Sequence, residues 1–189
     1  MSQDEARFTQ VPTLTRTLGI KGERPTVGSW DCKDVVHVFA SVDMTSGKLT
    51  HHLYASEHRE RRVDGMSKTA RMQREFARHL RQVGRAYPRD AWLRVVLLID
   101  GAPWHRGRLV DAALRDNPHL LLYRLPPYSP QLQPIEKLWR PLRHDVSHNR
   151  LYDTLPEHCT ALEQRLREYK RRPRTVLQAT GLLPTSPAG

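Results

Sequence analysis

The amino-acid sequence predicts an α/β fold, in which one mixed sheet combines an antiparallel hairpin with parallel strands and is flanked by helices. Two runs rich in β-branched and aromatic residues, 35–42 and 48–55, are separated by a short turn and predict the hairpin. Two short apolar runs, 95–99 and 120–125, enclose a segment of helical character at 106–116. A strand, a helix and a strand in this order predict a parallel pair joined by a crossover helix.

The size and charge of the chain narrow the class of protein. It has 189 residues, the size of one domain, and a formal net charge of +11. This charge favours a polyanionic partner, with nucleic acid as the first choice and an anionic membrane surface as the second. No run approaches the roughly 20 apolar residues that span a bilayer, and the N-terminus lacks signal-peptide character. Cys32 and Cys159 do not form a disulfide framework or a metal knuckle. We therefore expect an intracellular protein that faces DNA.

The first half of the chain predicts a strand, a loop, the hairpin and a helix. Residues 3–8 alternate weakly and predict the end of a strand, and the stretch 11–28, punctuated by glycine and proline, predicts a loop. The charged stretch 56–65 predicts a second loop, and 67–86 predicts a helix.

That helix carries an apolar face and an arginine stripe. The apolar residues are Met72, Phe76, Leu80 and Val83. The stripe on the opposite face consists of Arg71, Arg74, Arg78, Arg81 and Arg85. Glu75 is the only acid between Met72 and Tyr87, so little charge within the helix neutralises the stripe. The stripe is either a solvated face or a set of contacts to phosphate.

The second half predicts two buried strands and two further helices. The runs 95–99 and 120–125 are apolar enough to be buried strands, the first in the middle of the sheet. After an irregular proline-rich turn, Pro134 suits the first turn of a helix whose apolar stripe is Ile135, Leu138, Trp139, Leu142 and Val146. Thr154 to Glu157 fits a capping box, followed by a final helix packed through Leu155, Cys159, Leu162, Leu166 and Tyr169. We expect one domain over 1–180 and a disordered tail over 181–189.

Two carboxylates stand where a metal-dependent site would need them. Asp100 follows the apolar run 95–99, and Glu136 lies in the first turn of a helix, flanking its apolar stripe. Carboxylates from separate elements are the ligands of Mg²⁺ and Mn²⁺ in phosphodiester chemistry. The other interpretations are a turn cap for Asp100 and complementation of the helix dipole for Glu136. Arg140 and Arg143, one and two turns beyond Glu136, could meet a DNA backbone.

Three segments resemble a known family. IDGAPWHRG at 99–107 resembles the second-aspartate motif of DDE-superfamily transposases, in which a strand ends in Asp before Ala-Pro and a His. PPYSPQLQPIEKLW at 126–139 resembles the third-acid motif of insertion-sequence transposases related to mariner elements, Pro-Tyr-Ser-Pro-x-Leu-Asn-Pro-Ile-Glu-x-x-Trp. QDEARF at 3–8 is similar to the first-aspartate strand, and the resemblance covers nearly the whole chain.

The resemblance implies a fold, a reaction and a site. The fold is ribonuclease H-like, and Asp4, Asp100 and Glu136 hold two Mg²⁺ or Mn²⁺ ions. The enzyme is a metal-dependent DNA endonuclease and strand transferase, which cuts at element ends and joins the freed 3′-hydroxyl to target DNA. His105 matches the family's histidine and either contacts phosphate or braces the site. Asp43, which also ends a strand-like run, is the rival first aspartate, although a plain turn explains it equally well.

Besides Gln133, which stands where Asn is usual, two departures from the family pattern leave alternatives open. We expect no N-terminal helix-turn-helix module of the kind that reads element ends, and the strand that carries Asp4 lacks most of the residues expected upstream of it. We expect a bacterial, cytoplasmic and nucleoid-associated protein that acts on DNA as a dimer or larger assembly, with a separate N-terminal DNA-reading polypeptide as a candidate partner and no membrane partner. The alternatives are a truncated, non-catalytic DNA-binding or regulatory remnant of a transposase, and a nuclease acting on RNA–DNA hybrids.

Overall fold

The computed structural model of the chain describes residues 1–16, 18, 21, 26–29, 31, 33–58, 65–127 and 129–183. In this part of the chain the strands are β1 (Ser2–Thr9), β2 (Val35–Val42), β3 (Leu49–Ser56), β4 (Val95–Ile99) and β5 (Leu120–Arg124). The helices are α1 (Lys68–Ala86), α2 (Arg108–Asp116), α3 (Glu136–Val146), α4 (Leu155–Arg171) and α5 (Pro173–Ala179), with 3-10 turns at Pro103–His105 and Pro130–Leu132. Among these described helices, none is both long and apolar enough to cross a bilayer.

The strands form one mixed sheet in the order β3-β2-β1-β4-β5. β1 and β2 pair antiparallel, as do β2 and β3, whereas β4 lies parallel to both β1 and β5. The hairpin, the parallel pair and its crossover helix α2 are therefore confirmed. Each strand predicted from the sequence is present, and β1 is longer than the predicted strand end at 3–8.

Helices cover the two faces of the sheet unequally. On one face, α3, α4 and α5 pack on β1–β3 through residues such as Phe8, Val38 and Leu142. On the other face, α1 and α2 pack through a core that includes Phe39 of β2, Phe76 of α1 and Leu97 of β4, and α1 also contacts β3. Because side chains alternate along a strand, β1 sends Ala6 and Phe8 to the first core and keeps Glu5 and Arg7 for the opposite face.

The prediction that β4 and β5 are wholly buried is wrong. Val96 is 42% exposed, Leu121 41% and Tyr123 59%. The reason is that α3, α4 and α5 cover only the β1–β3 half of their face, and β5 is an edge strand. Leu97 and Ile99, which point to the opposite face, are fully buried beneath α1 and α2.

The C-terminal helices follow the predicted pattern and add one element. All five apolar residues of the α3 stripe are buried, and Thr154 and Glu157 form the capping box at the start of α4. Cys159 is only partly buried, whereas the other residues of its stripe are buried. The short helix α5 was not predicted, and the backbone N–H groups of Leu182 and Leu183 donate to the carbonyl of Leu177 after it. Residues 184–189 of the predicted tail, and much of the predicted loops 11–28 and 56–65, lie outside the described residues.

The helix predicted over 67–86 is confirmed as α1, whose N-cap is Ser67. The arginine stripe on it, however, is neither uniformly exposed nor poorly neutralised. Arg71 is buried and donates to the Met66 carbonyl at 2.6 Å. Arg74 and Arg78 both pair with the buried carboxylate of Glu75, at 2.8 and 3.0 Å.

The remaining stripe positions complete this correction. Arg81 pairs with Asp116 at the end of α2, at 3.2 Å, and Arg85 is exposed in the last turn. Spacing alone missed this neutralisation, because one acid serves two neighbouring arginines and a second acid arrives from another helix.

Glu75 links the stripe to the sheet. Its side chain is 1% exposed and also accepts a hydrogen bond from His52 on β3 at 2.9 Å. Burial alone would raise the pKa of Glu75, but the hydrogen bonds from His52 and Arg74 and the charge of Arg78 lower it to about 2.

Glu75→Gln is expected to lower the free energy of unfolding by about 2–4 kcal/mol at pH 7, because it removes the charge shared by a buried network. Since the folded-state pKa lies below the unfolded value, this stabilisation is present above about pH 4.5 and is lost as the pH falls towards 2. Urea unfolding of both proteins between pH 7 and pH 3 measures the difference. Glu168→Gln, at an exposed surface pair with Arg165, is the control and should change stability by less than about 0.5 kcal/mol.

Candidate active site

The parallel pairing of β1 with β4 determines where the first two predicted acids lie. Ser2 is paired with Leu98, and the Leu98 N–H donates to the Met1 carbonyl at 2.9 Å. Asp4 and Asp100 each lie two residues beyond this pair, so both acids follow it at the same level of the sheet. This alignment could not be read from local sequence, because it depends on which strand β1 pairs with.

The third acid is brought to the same place by the turn that precedes α3. The Gln133 amide donates to the Gln3 carbonyl at 2.7 Å, and the Ile135 N–H donates to the Ser2 hydroxyl at 3.4 Å. In a continued parallel ladder, that Gln3 carbonyl would accept from the Asp100 N–H. The Gln133 side chain therefore ends the β1–β4 ladder next to Asp4 and ties the start of α3 to β1.

Asp100 and Glu136 face one cavity. Its volume is about 290 Å³, and its other walls are the backbone after β4 and the proline-rich turn, at 101–102 and 125–127. Asp100 is 47% exposed at its side chain, and Glu136 is exposed in the first turn of α3. The structure thus brings these two predicted residues together at the carboxyl end of β4, where ligands bind in open α/β sheets.

Asp4 is held apart from that cavity by Trp139. The indole Nε1 of Trp139 donates to Asp4 Oδ2 at 2.7 Å. Burial raises the pKa of Asp4 to about 7; the Trp139 hydrogen bond opposes this rise, and the nearby charges of Glu5 and Glu136 add to it. Trp139 was predicted as a core residue and is buried, but its contact with the first acid was missed, since a spacing of 135 residues gives no signal.

His105 connects Asp100 to Glu5 on β1. Its Nδ1 lies 3.0 Å from Asp100 Oδ1, and its Nε2 lies 2.8 Å from Glu5 Oε1. Burial opposes the imidazolium form, but the hydrogen bonds to Asp100 and Glu5 raise the pKa of His105 to about 10. The His105 ring packs on Phe76, and the His105 side chain is only 1% exposed. Of its two predicted roles, supporting the site therefore fits this geometry better than contact with phosphate.

The charges of the site are therefore unevenly distributed. The hydrogen bond from His105 lowers the pKa of Asp100 despite burial, whereas burial and the charge of Asp100 raise the pKa of Glu136. Carboxylates that repel one another are a donor set suited to a hard divalent cation. In the part of the chain that the structure describes, no three acidic, histidine or cysteine side chains are already gathered closely enough to hold a metal ion. The chemistry of the donors fits such an ion, while Asp4 points to Trp139 instead.

Asp43, the alternative first aspartate, stabilises a turn, as its sequence context also suggested. It caps the β2–β3 turn, accepting from the backbone and hydroxyl groups of Thr45 and Ser46 at 2.6–3.4 Å. Burial would raise the pKa of Asp43, but these hydrogen bonds lower it to about 2. Asp43 follows Val42, which pairs with Ser2, so it lies at the N-terminal end of β1, and β1 separates its strand from β4.

The two arginines beyond Glu136 differ from each other. Arg140 is exposed. Arg143 instead donates to the Arg7 carbonyl at 2.8 Å and covers the ring of Phe8 at 4.8 Å. Arg143 therefore stabilises the junction of α3 with β1, which spacing along the helix did not reveal.

Comparison with known proteins agrees with the motifs. The family model described as DDE superfamily endonuclease matches residues 1–158. An uncharacterized protein of Sinorhizobium fredii (strain NBRC 101917 / NGR234), y4pE/y4sA, is 35% identical over 91 residues, which are 47% of this chain and 63% of that protein.

Solved structures similar to this chain include three of the Mos1 transposase. The pre-cleavage Mos1 transpososome gives a TM-score of 0.61 at 17% identity, over 95% of this chain and 53% of that chain. The Mos1 mariner paired-end complex with Mn gives 0.60 at 19% identity, over 95% and 52%. The Mos1 catalytic domain with raltegravir and Mg gives 0.55 at 18% identity, over 95% and 77%. The likeness confirms the ribonuclease H-like fold, and the chain spans about half the length of the Mos1 chains in the DNA complexes.

Asp4→Asn is expected to stabilise the metal-free protein. The pKa of Asp4 is raised from 3.8 to about 7 in the folded protein. As the pH rises between these two values, the unfolded chain releases its proton first, so the free energy of unfolding of the wild type falls. The amide cannot ionise and still accepts from Trp139. The gain should grow from about pH 4 to pH 7 and reach about 1–3 kcal/mol, below the ceiling of roughly 4 kcal/mol that the shift allows.

Thermal unfolding in EDTA at several pH values measures this gain. Asp43→Asn is the matched control with the opposite sign: its lowered pKa stabilises the fold at neutral pH, so its melting temperature should fall. A lower melting temperature for Asp4→Asn at pH 8 would contradict the electrostatic description of the site.

Proposed function

Because the chain belongs to the DDE superfamily of endonucleases, which its match over residues 1–158 shows, we propose that it is the catalytic domain of an insertion-sequence transposase. It cuts DNA at the ends of the element and joins the freed 3′-hydroxyl to target DNA. The observation that carries this proposal is the shared cavity of Asp100 and Glu136, at the carboxyl end of β4 and beside the strand of Asp4.

In this proposal Asp4, Asp100 and Glu136 hold two Mg²⁺ or Mn²⁺ ions. The similar Mos1 structures with Mn and with Mg support this choice. The ions supply charge neutralisation at the attacking and leaving oxygens of the phosphodiester. To join the other two acids, Asp4 must give up its hydrogen bond to Trp139, and a cation would compensate for this by lowering the repulsion between the carboxylates.

The residues around the acids keep them in place. His105, charged and bound to both Glu5 and Asp100, keeps Asp100 ionised and oriented into the cavity. Gln133 keeps the first turn of α3, and so Glu136, against β1. Rigid support of this kind is needed, because misplacement by about 1 Å can lower a catalysed rate by about 100-fold.

The reaction needs no covalent link between enzyme and DNA. Water attacks a phosphodiester at the element end, the bond to the 3′ oxygen breaks, and that oxygen leaves as a hydroxyl. The 3′-hydroxyl then attacks a phosphodiester of the target and displaces its 3′ oxygen, so each step exchanges one P–O bond for another. Exposed cations, among them Arg85, Arg140 and the basic segment 165–174, would bind the DNA backbone.

The assembly around this domain is also part of the proposal. The Mos1 relatives are described as paired-end and strand-transfer complexes, which favours a dimer or larger assembly on DNA. Since the chain spans about half the length of those proteins, a separate N-terminal polypeptide that reads the element ends is a candidate partner. Chromosomal DNA as substrate would place the protein at the nucleoid in the bacterial cytoplasm.

A second candidate function is a non-catalytic, DNA-binding remnant of a transposase. The observation that favours it is the carboxylate of Asp4, which is held by Trp139 instead of facing the cavity of Asp100 and Glu136. This remnant would bind DNA with strong salt dependence and would cut nothing with either metal.

The experiment that separates them is nicking of supercoiled plasmid carrying the element ends, with Mg²⁺ or Mn²⁺. The catalytic proposal expects nicking that Asp4→Asn, Asp100→Asn and Glu136→Gln each reduce at least about 100-fold, since each removes a charged ligand. The matched controls, Asp43→Asn and Glu168→Gln, should keep wild-type rates at a temperature where all variants are folded. Equal nicking by wild type and the three variants would refute the assignment, and binding without nicking by wild type would establish the remnant.

A further inference from the structure

A second cavity lies at the N-terminal end of α1, on the opposite face of β1 from Asp4. Its volume is about 240 Å³, and β1, β2, β3 and α1 all contribute to its walls. The residues that matter for its chemistry are Arg7, His37, Tyr54, Ser56, Lys68 and Arg71. None of these has a part in the cavity of Asp100 and Glu136.

The register of the sheet builds this cavity. Arg7 is paired with His37, and His37 is paired with Tyr54, so the three residues form one row across β1, β2 and β3. Paired residues of antiparallel strands project to the same face. The rings of His37 and Tyr54 stack, with centroids 5.9 Å apart and an interplanar angle of 16°, and form a flat wall beside the Arg7 guanidinium.

The described residues that line the cavity carry a net positive charge. Arg7 and Lys68 are exposed at its rim, and the buried Arg71 forms part of its wall while donating to the Met66 carbonyl. None of the described residues that line it is acidic. The N-terminus of the 19-residue helix α1 adds partial positive charge at the same place. Guanidinium, ammonium and hydroxyl donors around one opening suit the oxygens of a phosphate.

The cavity lies close to the candidate active site. Arg7 follows Glu5 by two residues on the same face of β1, a distance of about 7 Å, and Glu5 contacts His105, which contacts Asp100. Lys68 Nζ also lies 5.8 Å from the ring centre of Trp104, the residue before His105.

We propose that this cavity binds a phosphate group of the DNA strand that also reaches the candidate active site. The proposal rests on the proposed function for the identity of the strand and names a contact that positions it. Arg7 and Lys68 neutralise the phosphate, and the His37–Tyr54 pair offers a flat surface to the adjoining sugar or base.

The test is the salt dependence of DNA binding in EDTA, where nothing is cut. Each lost phosphate contact lowers the slope of log K against log [salt] by about 0.9. The double variant Arg7→Ala/Lys68→Ala should lower this slope by about 1 and weaken binding at low salt by about 10-fold or more. Arg7→Lys/Lys68→Arg, which keeps both charges, should bind as wild type does.

The matched control is Arg89→Ala/Arg94→Ala. It removes the same charge from exposed positions between α1 and β4, at the other end of α1 and about 28 Å from its N-terminus. Its slope should change by less than 0.5. Equal changes in the two double variants would overturn the proposal, because binding would then depend only on net charge.

A second measurement identifies the source of the phosphate. The side-chain NMR signals of His37 and Tyr54 are followed during titration with duplex DNA and, separately, with inorganic phosphate. Shifts with DNA that disappear in Arg7→Ala/Lys68→Ala support the proposal. Shifts with inorganic phosphate alone would overturn it and assign the cavity to a small phosphate-bearing ligand. Since neither measurement involves cleavage, a wild-type protein that fails to nick DNA but shows these shifts refutes the proposed reaction and leaves the phosphate site standing.

Discussion

The candidate site depends on one short parallel contact between β1 and β4. Ser2 pairs with Leu98, and the positions two residues further along are both aspartates, so Asp4 and Asp100 follow the paired residues at the same level of the sheet. The ladder stops before them, and there the Gln133 amide donates to the Gln3 carbonyl. This interruption separates the two strands at the acids and anchors the helix of Glu136 at the same point. One hydrogen bond therefore contributes both to the opening of the site and to the position of its third acid.

The three acids of the candidate site differ in pKa and in exposure, which lowers the repulsion between them. The three acids have different environments. Asp4 is partly buried against Trp139 and has a raised pKa, whereas the hydrogen bond from His105 lowers the pKa of Asp100. Glu136 is exposed in the first turn of α3. Repulsion is reduced because Asp4 is largely protonated below pH 7. A divalent cation would favour the ionised form of Asp4 and its release from Trp139. In the proposed function, ion binding would therefore be coupled to the ionisation of Asp4.

The two faces of β1 carry different functional groups. Asp4, Ala6 and Phe8 point towards α3, where the acid meets its neighbours and the core forms, whereas Glu5 and Arg7 point towards the α1 side. Glu5 supports Asp100 through His105, and Arg7 opens onto the basic cavity at the start of α1. Alternation along the eight residues of one strand thus connects the acids, the residues that support them and the proposed phosphate site.

Local sequence determined which elements form and which residues face a core, because hydrophobic periodicity, caps and turn residues act over a few neighbours. The hairpin, the crossover pair, the buried stripe of α3 and the capping box of α4 all follow from it, as do Asp100 and Glu136 as motif residues. Tertiary structure alone decided the contacts between distant residues: the β1–β4 register, the Trp139–Asp4 and Gln133–Gln3 hydrogen bonds, the neutralisation of the arginine stripe and the open face of β4–β5. The physical reason is that these contacts depend on how strands and helices pack against one another. Contacts between residues far apart in the sequence, such as Trp139 with Asp4 or Arg81 with Asp116, leave no periodic pattern and form only when the strand order and helix packing are established.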